Sequence, residues 1–221
     1  MTRLNRYKNY MRKRQAWSAI IMVMIPYIVW DSLVTHSHWW FNEKYTLNVR
    51  IFNLPVGELL FFITVPFACL LVWEAIKHRV LERIFIRKIG IYLFLYMLVP
   101  VGIFIFLKGK EYTGLVLIAI GLSAFLDYSL RTNLFTKRNT YLFLGVLTGL
   151  ILIFNGYLTA RPVVLYGIDY QIGLRIITIP IEDFVYGTAL IFMNTAIYKK
   201  IISSNIVDKI NNTTDREIEN A

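Results

Sequence analysis

The sequence predicts an all-α, polytopic integral membrane protein of about six transmembrane helices built around an internal parallel repeat. Three observations carry this. Of the 221 residues, 57% are apolar and only 17% charged, whereas a soluble domain holds roughly 45–50% and about 25%. Apolar runs of the length that crosses a bilayer, about 20 residues, recur six times. The chain also resembles itself at an offset of 125 residues.

The predicted spans are residues 17–34, 54–76, 89–107, 113–130, 141–160 and 179–197. The first begins beyond a basic N-terminal cluster and ends without a small-residue cleavage site, so it reads as a span rather than a signal peptide. Each later span is bounded by short charged gaps. Eighteen of the 24 Lys and Arg residues fall in alternate gaps, which predicts an even number of spans with both termini cytoplasmic. The net charge of +10 is thereby explained as orienting charge, and no nucleic-acid partner is expected. Residues 201–221, polar and ending in alternating acids, read as a disordered cytoplasmic tail. Cys69 lies alone inside an apolar run, which excludes a disulfide scaffold.

At the 125-residue offset, residues 45–58 lie over 170–183 without a gap; four positions are identical, five more are apolar in both and one is acidic in both. The first span then overlies the fifth and the second the sixth, in the same orientation. An approximate two-fold axis along the membrane normal is expected, with two like sites on the non-cytoplasmic side where the repeats meet. Residues 1–110 and 111–200 are taken as the two repeat-bearing halves.

Each copy ends a loop with a polar residue (Asn53, Thr178), then a proline (Pro55, Pro180), then acids within a turn: Glu58 in the first copy, Glu182 and Asp183 in the second. Proline suits a helix start, and Asn or Thr suits a cap. Taken singly, such acids complement the helix dipole; at matching positions of a repeat, at the mouths of apolar helices, they read as functional. Asp31, whose equivalent is Gly156, is a third candidate acid or an interface residue. Phe61, Phe62, Phe184, Tyr186 and Trp30 surround these acids. Such rings either form an interfacial belt or face a cationic intermediate. Arg50 and Arg175 match across the repeat and would pair with the acids or with lipid headgroups.

His36 and His38 lack a nearby third ligand and read as loop residues rather than a metal site. Glu74 and Asp127, at cytoplasmic helix ends, are expected to be solvated or paired with arginines. GxGxxG, Walker, HExxH and CxxC motifs are absent, and no cofactor is expected.

Trp30-Asp31, Trp40-Phe41-Asn42 and Leu54-Pro55-Val56-Gly57-Glu58 with Phe61-Phe62 and Pro66 resemble the first half of the small membrane lycopene cyclases of bacteria, archaea and fungi. Ile179-Pro180-Ile181-Glu182-Asp183-Phe184 resembles the acidic motif of their second half. The resemblance runs from about Tyr27 to Lys199. In that family the halves occur as separate subunits or fused. It implies proton-initiated, redox-neutral cyclisation of linear carotenoid ends to β-type rings, with Glu182 or Asp183 as acid and Glu58 as partner acid or base. The family motif has two adjacent acids, so Gly57 departs from it and leaves the first half-site with one candidate. The expected partners are a carotenoid drawn from the bilayer and membrane lipid, with a homo-oligomer or a complex with other carotenoid enzymes left open. The alternative from another class is a non-catalytic carrier or scaffold for an apolar ligand.

Overall fold

The computed structural model describes residues 12–79 and 83–219, with side chains through 205. Six long helices occur where the apolar runs predict them: α1 (Lys13–Val34), α2 (Val56–Lys77), α3 (Lys88–Leu107), α4 (Glu111–Ser129), α5 (Arg138–Ala160) and α6 (Ile181–Glu219). The first five are long and apolar enough to cross a membrane. The sixth is more polar, and the bundle tolerates this because α6 packs against α1, α2, α4 and α5 at its centre. Glu182, Asp183, Asn194 and Thr195 in its first half are buried in protein.

The helix α6 continues to Glu219, so the expectation of a disordered tail is corrected: 201–219 is helical backbone. Helix nucleation is the costly step, and the anchored first half of α6 has already met it.

The repeat holds for every element from α1 through α2. At the 125-residue offset α1 overlies α5 and α2 overlies the start of α6. Between them, β1 (Trp39–Phe41) overlies β4 (Val164–Tyr166), and a 3-10 turn at Glu43–Tyr45 overlies one at Ile168–Tyr170. The hairpin of β2 (Arg50–Ile51) and β3 (Leu54–Pro55) overlies that of β5 (Arg175–Ile176) and β6 (Ile179–Pro180). Strands β1 and β4 pair antiparallel about Trp40 and Leu165, which are each other's repeat equivalents. The register therefore maps onto itself when the halves exchange, and the local two-fold axis passes through this ribbon at the loop end of the bundle.

These short ribbons go beyond what the apolar runs predict, and they alter the expected capping. Asn53 sits in a hairpin turn with φ of 65°, Thr178 bonds the Thr159 hydroxyl at 2.6 Å, and Pro55 itself is the N-cap of α2. Pro55 and Pro180 are both buried in the strands that launch α2 and α6.

Helices α3 and α4 form a tight hairpin between the copies, and residue 110 lies in its turn. A Cβ at Gly102 would come 2.7 Å from the Gly114 carbonyl, one at Gly114 2.6 Å from the Gly102 carbonyl, and one at Gly121 would collide with Val99. Small residues permit this backbone approach, as is usual between membrane helices. The hairpin fixes the N-terminus of α4, where Tyr112 and Thr113 reach the first turn of α6. At the opposite end of the bundle the core closes with Trp73 edge-on to Phe143 at 5.4 Å and Phe143 stacked on Phe192 at 6.4 Å.

Candidate active site

A cavity of about 620 Å³ lies between α2 and α5, floored by α6. Its wall on α2 runs from Glu58 to Val72, about 20 Å at 1.5 Å per residue, against a hydrocarbon core of about 30 Å. The lining is almost wholly apolar along this length, and the polar groups gather at the loop end: Asp31, Glu58, Asp183, Tyr112, Tyr166, Tyr186 and Asn155. Helix α5, on one side, is the least buried of the five apolar helices.

The repeat predicts two like sites, but the structure brings the acids of both copies into one cleft. Asp31, Glu58 and Asp183 all line it and interact electrostatically with one another. The reason is that the helices cross near the two-fold axis, so matching first turns face a shared space.

Asp183 is held by three donors. The Tyr112 hydroxyl donates to Oδ1 at 2.7 Å, the Tyr166 hydroxyl to Oδ2 at 2.7 Å, and the Asn155 amide to Oδ2 at 3.2 Å. Burial, and after it the charge of Asp183, push the Tyr166 phenol well above its ordinary range, so it remains a donor. Asp31 accepts one bond, from the Tyr186 hydroxyl at 2.7 Å.

Glu58 is the repeat equivalent of Asp183, yet its surroundings differ at each matching position. Where Tyr166 serves Asp183, the first copy has Phe41, which also lines the cleft but carries no hydroxyl. Where Asn155 serves Asp183, the first copy has Trp30, whose indole N–H is buried without a partner among the described residues. Tyr112 belongs to α4, outside the segments that the 125-residue offset matches among the described residues. One pocket thus presents two carboxyl groups at equivalent backbone positions, one surrounded by donors and one without them. Hydrogen bonds to a charged group contribute roughly 1.5–3 kcal/mol each, which is ample to give the two groups different roles.

Glu182 lies outside the cleft, contrary to the expectation that it is a cavity acid. Its Oε1 accepts from Thr113 Oγ1 at 2.5 Å and from the Ile172 amide at 2.9 Å, tying α6 to α4 and to the preceding loop. Its equivalent is Gly57, where a Cβ would meet nothing within 4 Å. The departure at Gly57 therefore removes no cleft-facing acid, because adjacent residues on a helix point about 100° apart and only the second acid of each motif faces inward.

Of the predicted aromatic contacts, Phe61 and Tyr186 line the cleft. Phe62, Phe184 and Trp30 do not: Phe62 is fully enclosed in the core, Phe184 is half-buried, and Trp30 packs on His38 and Phe106. Arg50 and Arg175 each donate from Nη1 within their own hairpin, to the carbonyls of Asn53 and Thr178. His38 is buried, stacks on Tyr170 at 4.1 Å, and meets Glu111 at 2.8 Å; burial holds its pKa below the ordinary value.

Glu74 and Asp127 are both buried rather than solvated, and neither is paired with an arginine among the described residues. Glu74 has Lys77 and His78 beside it. Asp127 accepts from Tyr92, Thr132 and the amides of Leu134 and Phe135, closing the turn after α4.

Tyr112, Tyr166 and Asn155 are the site residues that sequence reasoning misses, and Phe41 is seen there only as part of a motif. The repeat offset is the available signal, since it sets Phe41 against Tyr166 and Trp30 against Asn155.

A family model described as lycopene cyclase matches residues 2–76 and 109–201, most of the chain and both copies of the repeat. The chain belongs to this family. No curated protein and no solved structure matches it.

Proposed function

We propose that this membrane-embedded member of the lycopene cyclase family is an isomerase that closes the linear ends of lycopene into β-ionone rings, giving γ- and then β-carotene. The observation that carries the reading is the unequal pair in one apolar cleft: among the described residues Glu58 has no donor and Asp183 has three.

In this scheme Glu58 enters the cycle carrying its proton and transfers it to the terminal double bond. The resulting tertiary cation is attacked by the π electrons of the next alkene in reach, forming the ring C–C bond. Asp183, held as a carboxylate by Tyr112, Tyr166 and Asn155, removes the ring proton and leaves the ring double bond. One proton is added and one lost, so atoms and charge balance without oxidant or reductant. Phe61, Phe41 and the tyrosine rings face the cation with their negative faces, and the dry wall keeps water from quenching it. Asp31, oriented by Tyr186, completes the acid cluster through which the proton returns from Asp183 to Glu58. A single cleft serves one end at a time. The charge bias of the gaps supports cytoplasmic termini, with the acids at the other face.

The test is expression in a lycopene-accumulating bacterium followed by chromatography of the pigments. γ-Carotene is expected first and β-carotene later; unchanged lycopene overturns the reading in favour of a carrier.

A second prediction concerns the donors. Tyr166→Phe removes one hydrogen bond from Asp183 and is expected to slow cyclisation about tenfold, a loss of the size that one charged hydrogen bond carries. Phe41→Tyr gives Glu58 the donor it lacks and is expected to slow the reaction too, by stabilising the carboxylate form of the acid. Rates equal to wild type in both variants would remove the donor asymmetry from the mechanism.

A further inference from the structure

The loop leaving α1 and the first turn of α4 run side by side in register. His38 meets Glu111, with Nε2 2.8 Å from Oε2. The next residue of each, Trp39 and Tyr112, pack edge to face with ring centroids 5.2 Å apart. Thr113 then donates to Glu182 at 2.5 Å. Three consecutive residues of α4 thus hold three different partners. The helix has no side-chain cap at Lys110, so its first turn is held by these contacts as well as by the hairpin with α3.

The His38 side of this contact is well anchored. The residue is buried, its ring stacks on Tyr170 at 4.1 Å, and its carbonyl accepts from the Gly167 amide at 2.7 Å. Nδ1 is buried without a partner among the described residues. A proton there would be a stranded donor, so Nδ1 is bare and Nε2 carries the N–H that Glu111 accepts. The repeat equivalent of His38 is Val163, which has no such donor.

One residue stands between this pair and the acids. Among the described residues Tyr112 is the sole donor to Oδ1 of Asp183, at 2.7 Å, while Tyr166 and Asn155 both serve Oδ2. A hydroxyl at the end of a long ring moves with the backbone that carries it, and hydrogen bonds weaken steeply with lost alignment. Neither His38 nor Glu111 lines the cleft, so any effect they have on the reaction passes through Tyr112.

We infer that His38 and Glu111 are positioning residues: their bond holds the first turn of α4 where the Tyr112 hydroxyl reaches Asp183. This rests on the cyclase reading above. It makes a loop of the first copy responsible for a donor to the carboxylate of the second.

The experiment compares wild type, His38→Phe, His38→Gln, Tyr112→Phe and the double variant His38→Phe with Tyr112→Phe, in membranes supplied with saturating lycopene. Turnover and the lycopene that co-purifies with the protein are both measured. Tyr112→Phe is expected to slow turnover about tenfold, the size of one hydrogen bond to a charged group. His38→Phe keeps a ring on Tyr170 but loses the donor, and is expected to slow turnover about three- to tenfold, with lycopene retained at the wild-type level. His38→Gln loses the ring but keeps an N–H of similar reach, and is expected to recover most of the rate. The double variant is expected to be no slower than Tyr112→Phe alone, because a group that acts through Tyr112 has nothing left to position. Glu111→Ala, at a side chain that is 38% exposed and so tolerant of truncation, is expected to match His38→Phe. Equal losses in His38→Phe and His38→Gln, losses that multiply in the double variant, wild-type turnover in His38→Phe or Glu111→Ala, or loss of bound lycopene in step with the rate each overturns the inference and leaves the cyclase reading standing. An inactive wild type with lycopene bound overturns the cyclase reading, and the inference with it.

Discussion

Glu58→Gln is expected to reduce cyclisation by about 10²–10⁴-fold, the range that a positioned general acid contributes, while the protein still retains lycopene. The amide is isosteric, and Glu58 makes no protein hydrogen bond among the described residues, so the substitution leaves no donor stranded. The loss is of the proton alone. In D₂O the variant is expected to return lycopene without deuterium at its ends, since the first step no longer occurs. Turnover within a few-fold of wild type would transfer the acid role to another group, with Asp31 the nearest in chemistry.

Asp183→Asn is expected to lose a comparable factor by a different route. Protonation by Glu58 still takes place, but the ring proton has no base to accept it. The cation reverts when Glu58 takes back either hydrogen of the carbon it protonated, and removal of the original protium leaves the label behind, so lycopene recovered from D₂O is expected to carry deuterium on the CH carbon of its terminal double bond. The amide also places a donor where Tyr112, Tyr166 and Asn155 already donate. Leaving a buried polar atom without a complementary partner costs about 1–3 kcal/mol, and a lower unfolding temperature is expected alongside the kinetic loss. Mass spectrometry of the recovered lycopene separates the two variants: deuterium in both or in neither refutes the division of labour between the two carboxyl groups.

Much of this arrangement is legible in the order of the residues. Six spans, the repeat and the acid-bearing helix starts all follow from apolar length and from residues 45–58 lying over 170–183. The family resemblance points to Glu58 and to the adjacent pair Glu182 and Asp183, without choosing between the two. What the sequence does not disclose is orientation. Glu182 and Asp183 are adjacent and chemically alike, and only the direction of the α6 face decides that one meets Thr113 and the other the cleft. The same holds for Phe61 and Phe62, of which one lines the cavity and one fills the core. Tyr112 is out of reach because it lies outside the matched segments 45–58 and 170–183, and its distance in sequence from Asp183 says nothing of a contact. Glu74 and Asp127 mislead because charge at a helix end is ordinarily hydrated; here neighbouring turns of the chain enclose them.

The ribbon between Trp39–Phe41 and Val164–Tyr166 has one further consequence. Since Phe41 and Tyr166 both hang from it into the cavity, the two loops form a single clasp over the acids, and neither can lift without unzipping the other. Lifting either loop therefore means breaking the ribbon, so the two copies of the repeat cover the acids as one piece.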